Sequence, residues 1–287
     1  MIVAISLVFV AVGTVVFHFM SPWWSTPIAS NWGYIDDTII LTFWITGVVF
    51  VAVILFTAYC VVKFKYKEGA RSQYKPEDHK LEWWLTGLTT VGVAGMLIPG
   101  LFVWNQFVTV PAGAAEMEVL AKQWSWGFRL PGKDGKLGTS NARLITPENP
   151  FGVDPKDPNG QDDILVEDGE NLHIPLNKPV KVLLRSIDVL HDFYVPEFRA
   201  KMDMVPGAVT YFWFEPIRTG TFDILCFELC GVGHHAMRSQ VVVDEKGAYE
   251  KWLGAQQTFK KSLVDARIGS KPLGQLASRK PVPETAQ

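Results

Sequence analysis

Three long apolar runs, Ile2 to Met20, Thr38 to Val62 and Trp83 to Val108, fill the first third of the chain and are almost free of charge. A helix needs roughly 20 apolar residues to cross about 30 Å of hydrocarbon, so each run predicts a membrane-spanning helix. From about Thr109 onward the pattern changes to short β-branched or aromatic stretches: Glu118 to Leu130, Leu172 to Ile174, Val180 to Ser186, Val209 to Phe214, Thr221 to Cys226 and Ser239 to Val243. Turn residues bound them, as at Pro131-Gly132, Asn177-Lys178-Pro179 and Arg218-Thr219-Gly220. Many short strands at this spacing predict an all-β sandwich or Greek-key barrel. The stretch from Pro131 to Asp163, full of Asp, Pro, Asn and Gly, reads as a long surface excursion, and a last helix is expected over about Gly247 to Val264. The expected organisation is a transmembrane helix or signal segment over 1–20, a transmembrane helical hairpin over 38–108, a β domain over 109–264 and a polar tail, with Pro281 and Pro283, over 265–287.

Charge orients this arrangement. The connector from Lys63 to Lys80 is rich in Lys and Arg, and the positive-inside rule puts it in the cytoplasm. The connector from Ser21 to Asp37 has no Lys or Arg but holds Trp23, Trp24 and Trp32, which suits an outer-leaflet interface, so the β domain is expected on the outer side. Ile2 to Met20 lacks a positive segment before it and an evident small-residue cleavage site, which favours a retained helix; a cleaved signal would leave the same topology. The net charge of the 287 residues is only -2, without a basic stripe interleaved with aromatics, which sets nucleic-acid binding aside. Three cysteines, one of them (Cys60) inside an apolar run, cannot form a disulfide framework, so stability must come from an ordinary core or from a metal.

The chemistry concentrates in Cys226-Phe-Glu228-Leu-Cys230-Gly-Val-Gly-His234-His235-Ala-Met237. Soft sulfur beside imidazole selects copper, and a weak Met ligand marks copper electron-transfer sites. Zinc more usually takes four Cys or His ligands and leaves Met out. Gly231 and Gly233 permit the tight turning that lets Cys230 and His234 face one point. A further imidazole is available in His191, expected at the end of a strand after Ser186-Ile187-Asp188. Two thiolates can bridge two copper ions. Either cysteine alone would read as a core residue; the full Cys-x3-Cys-x3-His-x2-Met spacing with an upstream His does not.

This loop resembles that of subunit II of the cytochrome c oxidases, which carries the dinuclear CuA centre, and the likeness runs from about Asp36 to Asp244. The resemblance implies N-terminal transmembrane α-helices followed by an all-β cupredoxin-like Greek-key barrel. It implies a multi-pass protein of a bacterial inner (plasma) membrane, in contact with lipid, with its copper domain on the periplasmic side. Cys226 and Cys230 look like the bridging thiolates, His191 and His234 like the terminal imidazoles, Met237 like the weak axial ligand on one copper and the Glu228 carbonyl like that on the other. The family uses the same glutamate's side chain for a magnesium ion shared with the catalytic subunit. The implied function is electron input to a cytochrome c oxidase: electrons from a c-type cytochrome pass through the copper pair to haem in the haem-copper subunit I, among other oxidase subunits, where oxygen is reduced to water.

Further residues follow from the same resemblance. Trp124, in Gln123-Trp124-Ser125-Trp126, looks like the indole where electrons enter, whereas Trp126 suits a core role. Glu82 matches a glutamate at the entrance of a proton-uptake path, although Leu85 stands where the family usually has Trp; an ordinary helix-start Glu favoured by the macrodipole is the alternative. Asp188 falls in the docking surface for cytochrome c, but Ile187 replaces an adjacent acidic residue. Asp154, Asp157, Asp162 and Asp163 are either a compensating docking patch or a solvated loop. Asp203 matches a position near the magnesium site, and His235 reads as structural. Three rivals fit less well. A quinol oxidase subunit II lacks this ligand set, nitrous oxide reductase needs a large propeller where this chain has membrane spans, and a blue-copper carrier needs one cysteine.

Overall fold

The computed structural model describes residues 1–21, 26–71, 74, 76–166 and 169–269. Trp23, Trp24 and the end of the polar tail, with Pro281 and Pro283, lie outside the described residues. The chain forms two compact units, one helical and one largely β.

The helical unit holds α1 (Ile2–Met20), α2 (Gly33–Lys63) and α3 (His79–Val108), three helices long and apolar enough to cross a membrane. The first matches its apolar run end to end. The other two begin some residues before theirs, because polar first turns are good helix starts: Asp36 lies in the first turn of α2, and the Asp78 side chain accepts the Leu81 N–H at 3.2 Å to cap α3. The helices are apolar all round and their side chains are mostly exposed, as expected where lipid or another subunit replaces water.

Among the described residues the β unit contains ten strands in two five-stranded sheets. The first has the order β3 (Ile164–Val166), β2 (Ser125–Leu130), β1 (Ala115–Lys122), β5 (Val180–Ser186), β8 (Thr210–Phe214). The second has the order β4 (Leu172–Pro175), β10 (Arg238–Asp244), β9 (Gly220–Cys226), β6 (His191–Val195), β7 (Ala200–Met204). Among the described residues, β1 with β5 and β10 with β4 pair in parallel and the other strand pairs are antiparallel. In β5 every second residue, Val180, Val182, Leu184 and Ser186, is buried, as period-two alternation requires. Trp126 on β2 meets Phe193 on β6 edge-on, and Phe193 lies beside Phe212 on β8, so the core sits between the sheets. Two packed sheets are the all-β architecture that the strand pattern anticipates, and the one that the resemblance implies as cupredoxin-like.

Several expectations need correcting. Glu118 to Leu130 is not one strand but the hairpin β1–β2, turning at Gln123-Trp124; both arms are apolar and that dipeptide is no ordinary turn signal. Strands β3, β6 and β7 go unmarked in the sequence, being short or, in His191-Asp192 and Lys201-Met-Asp203, rich in polar residues. The expected last helix is two, α4 (Lys246–Ala255) and α5 (Phe259–Gly269), so helix continues past the expected start of the tail at residue 265. They part where the Phe259 N–H bonds to the Asp163 carbonyl at 2.7 Å and Thr258 bridges to Ile164.

The excursion over 131–163 is not a loose loop. Phe151 and Val153 pack with Leu120 of β1 and Phe259 of α5, which covers the outer face of the first sheet and explains why β1 is buried on both sides. Beneath the cover lies a charge cluster. Arg129 donates from Nε to Glu118 Oε2 at 2.6 Å and from Nη1 to Asp163 Oδ2 at 2.9 Å and to the Gly138 carbonyl at 2.9 Å. Arg185 pairs with the other oxygen of Glu118 and donates to the Phe151 carbonyl. Asp163 is therefore neither a docking acid nor solvated. Asp157, Asp162 and Asp154 accept backbone N–H groups of Thr139 and Asn159, of Lys133 and Asp134, and of Lys156, so they shape turns.

Burial pushes the Asp163 carboxyl up to about 6, against the pull of Arg129. Its folded pKa thus exceeds the ordinary 3.8, so its contribution is most favourable below pH 3.8 and is lost as pH rises through about 6. Arg129→Met strands the buried Asp163 carboxylate and leaves Glu118 with Arg185 alone, and should cost about 3–5 kcal/mol near pH 8, with a smaller cost near pH 5, where Asp163 holds its proton. Denaturant unfolding at the two pH values checks this.

Candidate metal centre

The site is built at the ends of β6 and β9 and on the loop that follows β9. The Cys226 N–H bonds to the Met237 carbonyl at 3.3 Å, which closes the loop from residue 227 to 236 onto the β9–β10 ladder. Inside it Gly231 adopts φ 118°, a left-handed conformation open to glycine. The His234 N–H returns to the Gly231 carbonyl at 3.1 Å and starts the short 3-10 turn His234–Ala236. Strand β6 runs antiparallel to β9 with Phe193 opposite Cys226, so His191 lies just beyond the end of β9, level with the loop.

Contrary to expectation, His191 does not end a strand but opens β6. The chain leaves β5 at Ser186 and crosses to the other sheet through Ile187 to Leu190. Ser186 Oγ donates to the Val189 carbonyl at 2.5 Å, and Asp188 Oδ1 accepts the Val189 N–H at 2.7 Å, which shapes the crossing.

The side chains converge as the spacing implies. Cys226 Sγ lies 3.7 Å from Cys230 Sγ and 3.8 Å from His191 Nδ1. Cys230 Sγ lies 3.6 Å from His234 Nδ1 and 3.9 Å from Met237 Sδ, and the Glu228 carbonyl is 3.3 Å from Cys226 Sγ. The ligand atoms of His191, Cys226 and Cys230 fall within 4.8 Å of one another, and all three residues are buried. Two thiols, two imidazole nitrogens, a thioether and a carbonyl around one buried point form a donor set for a soft or borderline transition metal.

Burial opposes a thiolate at Cys226, yet its hydrogen bonds to His191, to the backbone at Asp192 and Glu228, and to His234 bring the thiol down to about 6. Burial and the neighbouring Cys226 push Cys230 up to about 11. His191 is raised, burial being outweighed by Cys226 and Asp188.

The β1–β2 turn lies over the loop. The Gln123 Nε2 and Trp124 Nε1 groups both donate to the Cys230 carbonyl, at 2.8 and 3.2 Å. A Cβ at Gly233 would sit 2.3 Å from the Trp124 ring, so glycine there lets the indole lie on the loop backbone. Trp124 is still 39% exposed, whereas Trp126 is buried. Asp188 accepts the Gln123 N–H at 2.6 Å and contacts His191 Nε2 at 2.9 Å. The sequence marks Asp188 as a charged position, yet only the fold reveals these two bonds.

Other expected residues are dispersed. Asp203 is exposed on β7, 3.7 Å from Lys201 Nζ. Lys201 pairs with Asp192, a fully buried carboxylate adjacent to His191 that sequence reasoning missed; burial, relieved in part by Lys201, pushes its carboxyl up to about 7. Glu228 is partly buried, and His235 is exposed on the 3-10 turn. In the separate helical unit Glu82 lies in the first turn of α3, 3.3 Å from His79 Nδ1.

Residues 116–245 match the family model for the cytochrome c oxidase subunit II periplasmic domain. An alternative cytochrome c oxidase subunit 2 of Bradyrhizobium diazoefficiens is 66% identical over 90% of this chain and 93% of its own length. A cytochrome c oxidase subunit 2 of Cereibacter sphaeroides is 28% identical over 80% of this chain and 77% of its own. The crystal structure of the periplasmic domain of subunit II of cytochrome oxidase from Bradyrhizobium japonicum matches 51% of this chain and 95% of its own, at 29% identity and a TM-score of 0.37. With the expected ligand types gathered at one buried point and a relative of this identity along nearly its whole length, the chain belongs to the cytochrome c oxidase subunit II family.

Proposed function

We propose that this chain accepts electrons from a reduced c-type cytochrome at a dinuclear CuA centre and delivers them to haem in the haem-copper subunit I, where oxygen is reduced to water. The observation that carries this reading is the convergence of His191, Cys226 and Cys230 within 4.8 Å. His234 and Met237 close on Cys230 from the other side. In this reading the Cys226 and Cys230 thiolates and the His191 and His234 imidazoles would hold the copper, with Met237 Sδ and the Glu228 carbonyl as weaker donors. Bound there, copper would supply one-electron redox chemistry.

The chain's own part is to hold the donors ready. Near neutral pH Cys226 is largely thiolate, while Cys230 keeps its proton until a cation replaces it, so metal loading releases a proton. Burial of His191, Cys226, Cys230 and Met237 keeps water from the sulfurs. The half-exposed Trp124 indole, bonded to the Cys230 carbonyl, offers a transient donor a conducting contact with little rotamer entropy to lose. Asp188 adds negative charge to that face and steers a positive donor. The Glu228 side chain serves a magnesium ion shared with subunit I, with Asp203 nearby in role, and Glu82 marks the entrance of a proton path. Helices α1–α3 span a bacterial inner membrane in contact with lipid and other oxidase subunits. The connector over 63–80 is cytoplasmic and the β domain is periplasmic.

Three outcomes test this. The assembled wild-type protein should hold two coppers with hyperfine structure from an equivalent pair, and Cys226→Ser should abolish that signature; retention of two coppers with an unchanged spectrum would overturn the bridging role. Trp124→Gln should slow rapid-mixing electron transfer from cytochrome c sharply while the copper spectrum stays unchanged. For topology, a membrane-impermeant thiol reagent applied to spheroplasts should label Lys136→Cys and spare Ala70→Cys, both exposed positions; the opposite pattern would reverse the assigned orientation.

A further inference from the structure

Asp188 has a position that a docking charge does not require. Its Oδ2 accepts the Gln123 N–H at 2.6 Å, and its Oδ1 accepts the Val189 N–H at 2.7 Å and lies 2.9 Å from His191 Nε2. Ser186 Oγ is 3.4 Å away. Both carboxylate oxygens are thus engaged within the protein, although the side chain remains 29% exposed. A carboxylate can only accept, so His191 Nε2 carries a proton toward Asp188, and Nδ1, 3.8 Å from Cys226 Sγ, is the ring nitrogen turned to the cysteines. A ligating imidazole whose far N–H is held by a carboxylate is fixed in ring orientation and made more basic.

The same carboxylate reaches the β1–β2 turn through the Gln123 backbone. That turn is held from its other side, where Gln123 Nε2 and Trp124 Nε1 share the Cys230 carbonyl. The turn carrying the exposed indole is therefore fastened to both ligand-bearing segments, to His191 through Asp188 and to Cys230 directly. No polar contact in this chain of bonds exceeds 3.2 Å.

We propose that Asp188 is a positioning residue: it fixes the His191 ring with Nδ1 toward the cysteine pair and, through the Gln123 N–H, holds the Trp124 turn in register with that pair. This rests on the copper reading above. It makes Gln123 the second member of the clamp and separates the role of Asp188 from a surface charge that merely attracts the donor.

The test uses the full chain assembled in its oxidase and loaded with copper, comparing wild type with Asp188→Ala and Asp188→Asn. Asp188→Ala should weaken copper retention against a competing chelator by about 10–100-fold, the usual effect of removing a carboxylate behind a metal-bound histidine. It should also change the imidazole hyperfine couplings in pulsed EPR. Asp188→Asn keeps the volume and an oxygen for the Gln123 N–H but cannot satisfy every donor, so its effects should be smaller and in the same direction. If Asp188→Ala does not assemble, Asp188→Asn decides by the same two readouts. Unchanged retention and couplings, with only the salt dependence of the donor's KM flattened, would overturn the proposal and leave Asp188 as a docking charge. A wild-type protein that fails to hold two coppers would overturn the copper reading itself, a result distinct from unchanged variants of a protein that does hold them.

Discussion

Cys226 Sγ and Cys230 Sγ lie 3.7 Å apart in a buried pocket, where two sulfurs cannot both carry charge without a cation to share it. The opposed shifts of their thiols, one down to about 6 and the other up to about 11, express that conflict. Much of the surrounding architecture can be understood as holding this pair in place. The β9–β10 ladder closes the loop at Cys226 and Met237, β6 delivers His191 beside it, and the β1–β2 turn presses on the loop at Gly231 and Gly233.

Rigidity at the site draws on both sheets. The turn above the loop belongs to the first sheet, whereas Cys226 and His191 belong to the second, so the pole of the domain is joined by the Asp188 and Cys230 bonds as well as by the aromatic core. Farther along the first sheet, Arg129 ties the excursion to β1 and β2 through Glu118, Asp163 and Gly138. Such a cluster gives little net stability over an apolar equivalent, but losing one member leaves uncompensated buried charge, so it enforces one arrangement of the cover.

What the sequence by itself determined was whatever depends on local period or on a short spacing. Three apolar runs of membrane length became α1, α2 and α3, because the length of a run and its lack of charge suffice for that reading. Val180 to Ser186 emerged as a strand with its expected ends, since alternation alone specifies which face is buried. Cys226, Cys230, His234 and Met237 were legible as candidate ligands because all four lie within one turning segment.

Tertiary structure decided what depends on partners far apart in the chain. Strands β6 and β7 exist through pairing, with polar His191 and Asp192 buried only because β9 and β7 flank them. The excursion became a fixed cover because Arg129 met Asp163, and its acidic residues, which composition alone would leave in solvent, turned inward or capped turns. Asp188 has a recognisable charge in the sequence, but whether that charge faces a partner or a histidine is set by the distance to Gln123, 65 residues away. The physical reason is that propensity and spacing act over a few residues, whereas burial and hydrogen-bond satisfaction are properties of the assembled neighbourhood.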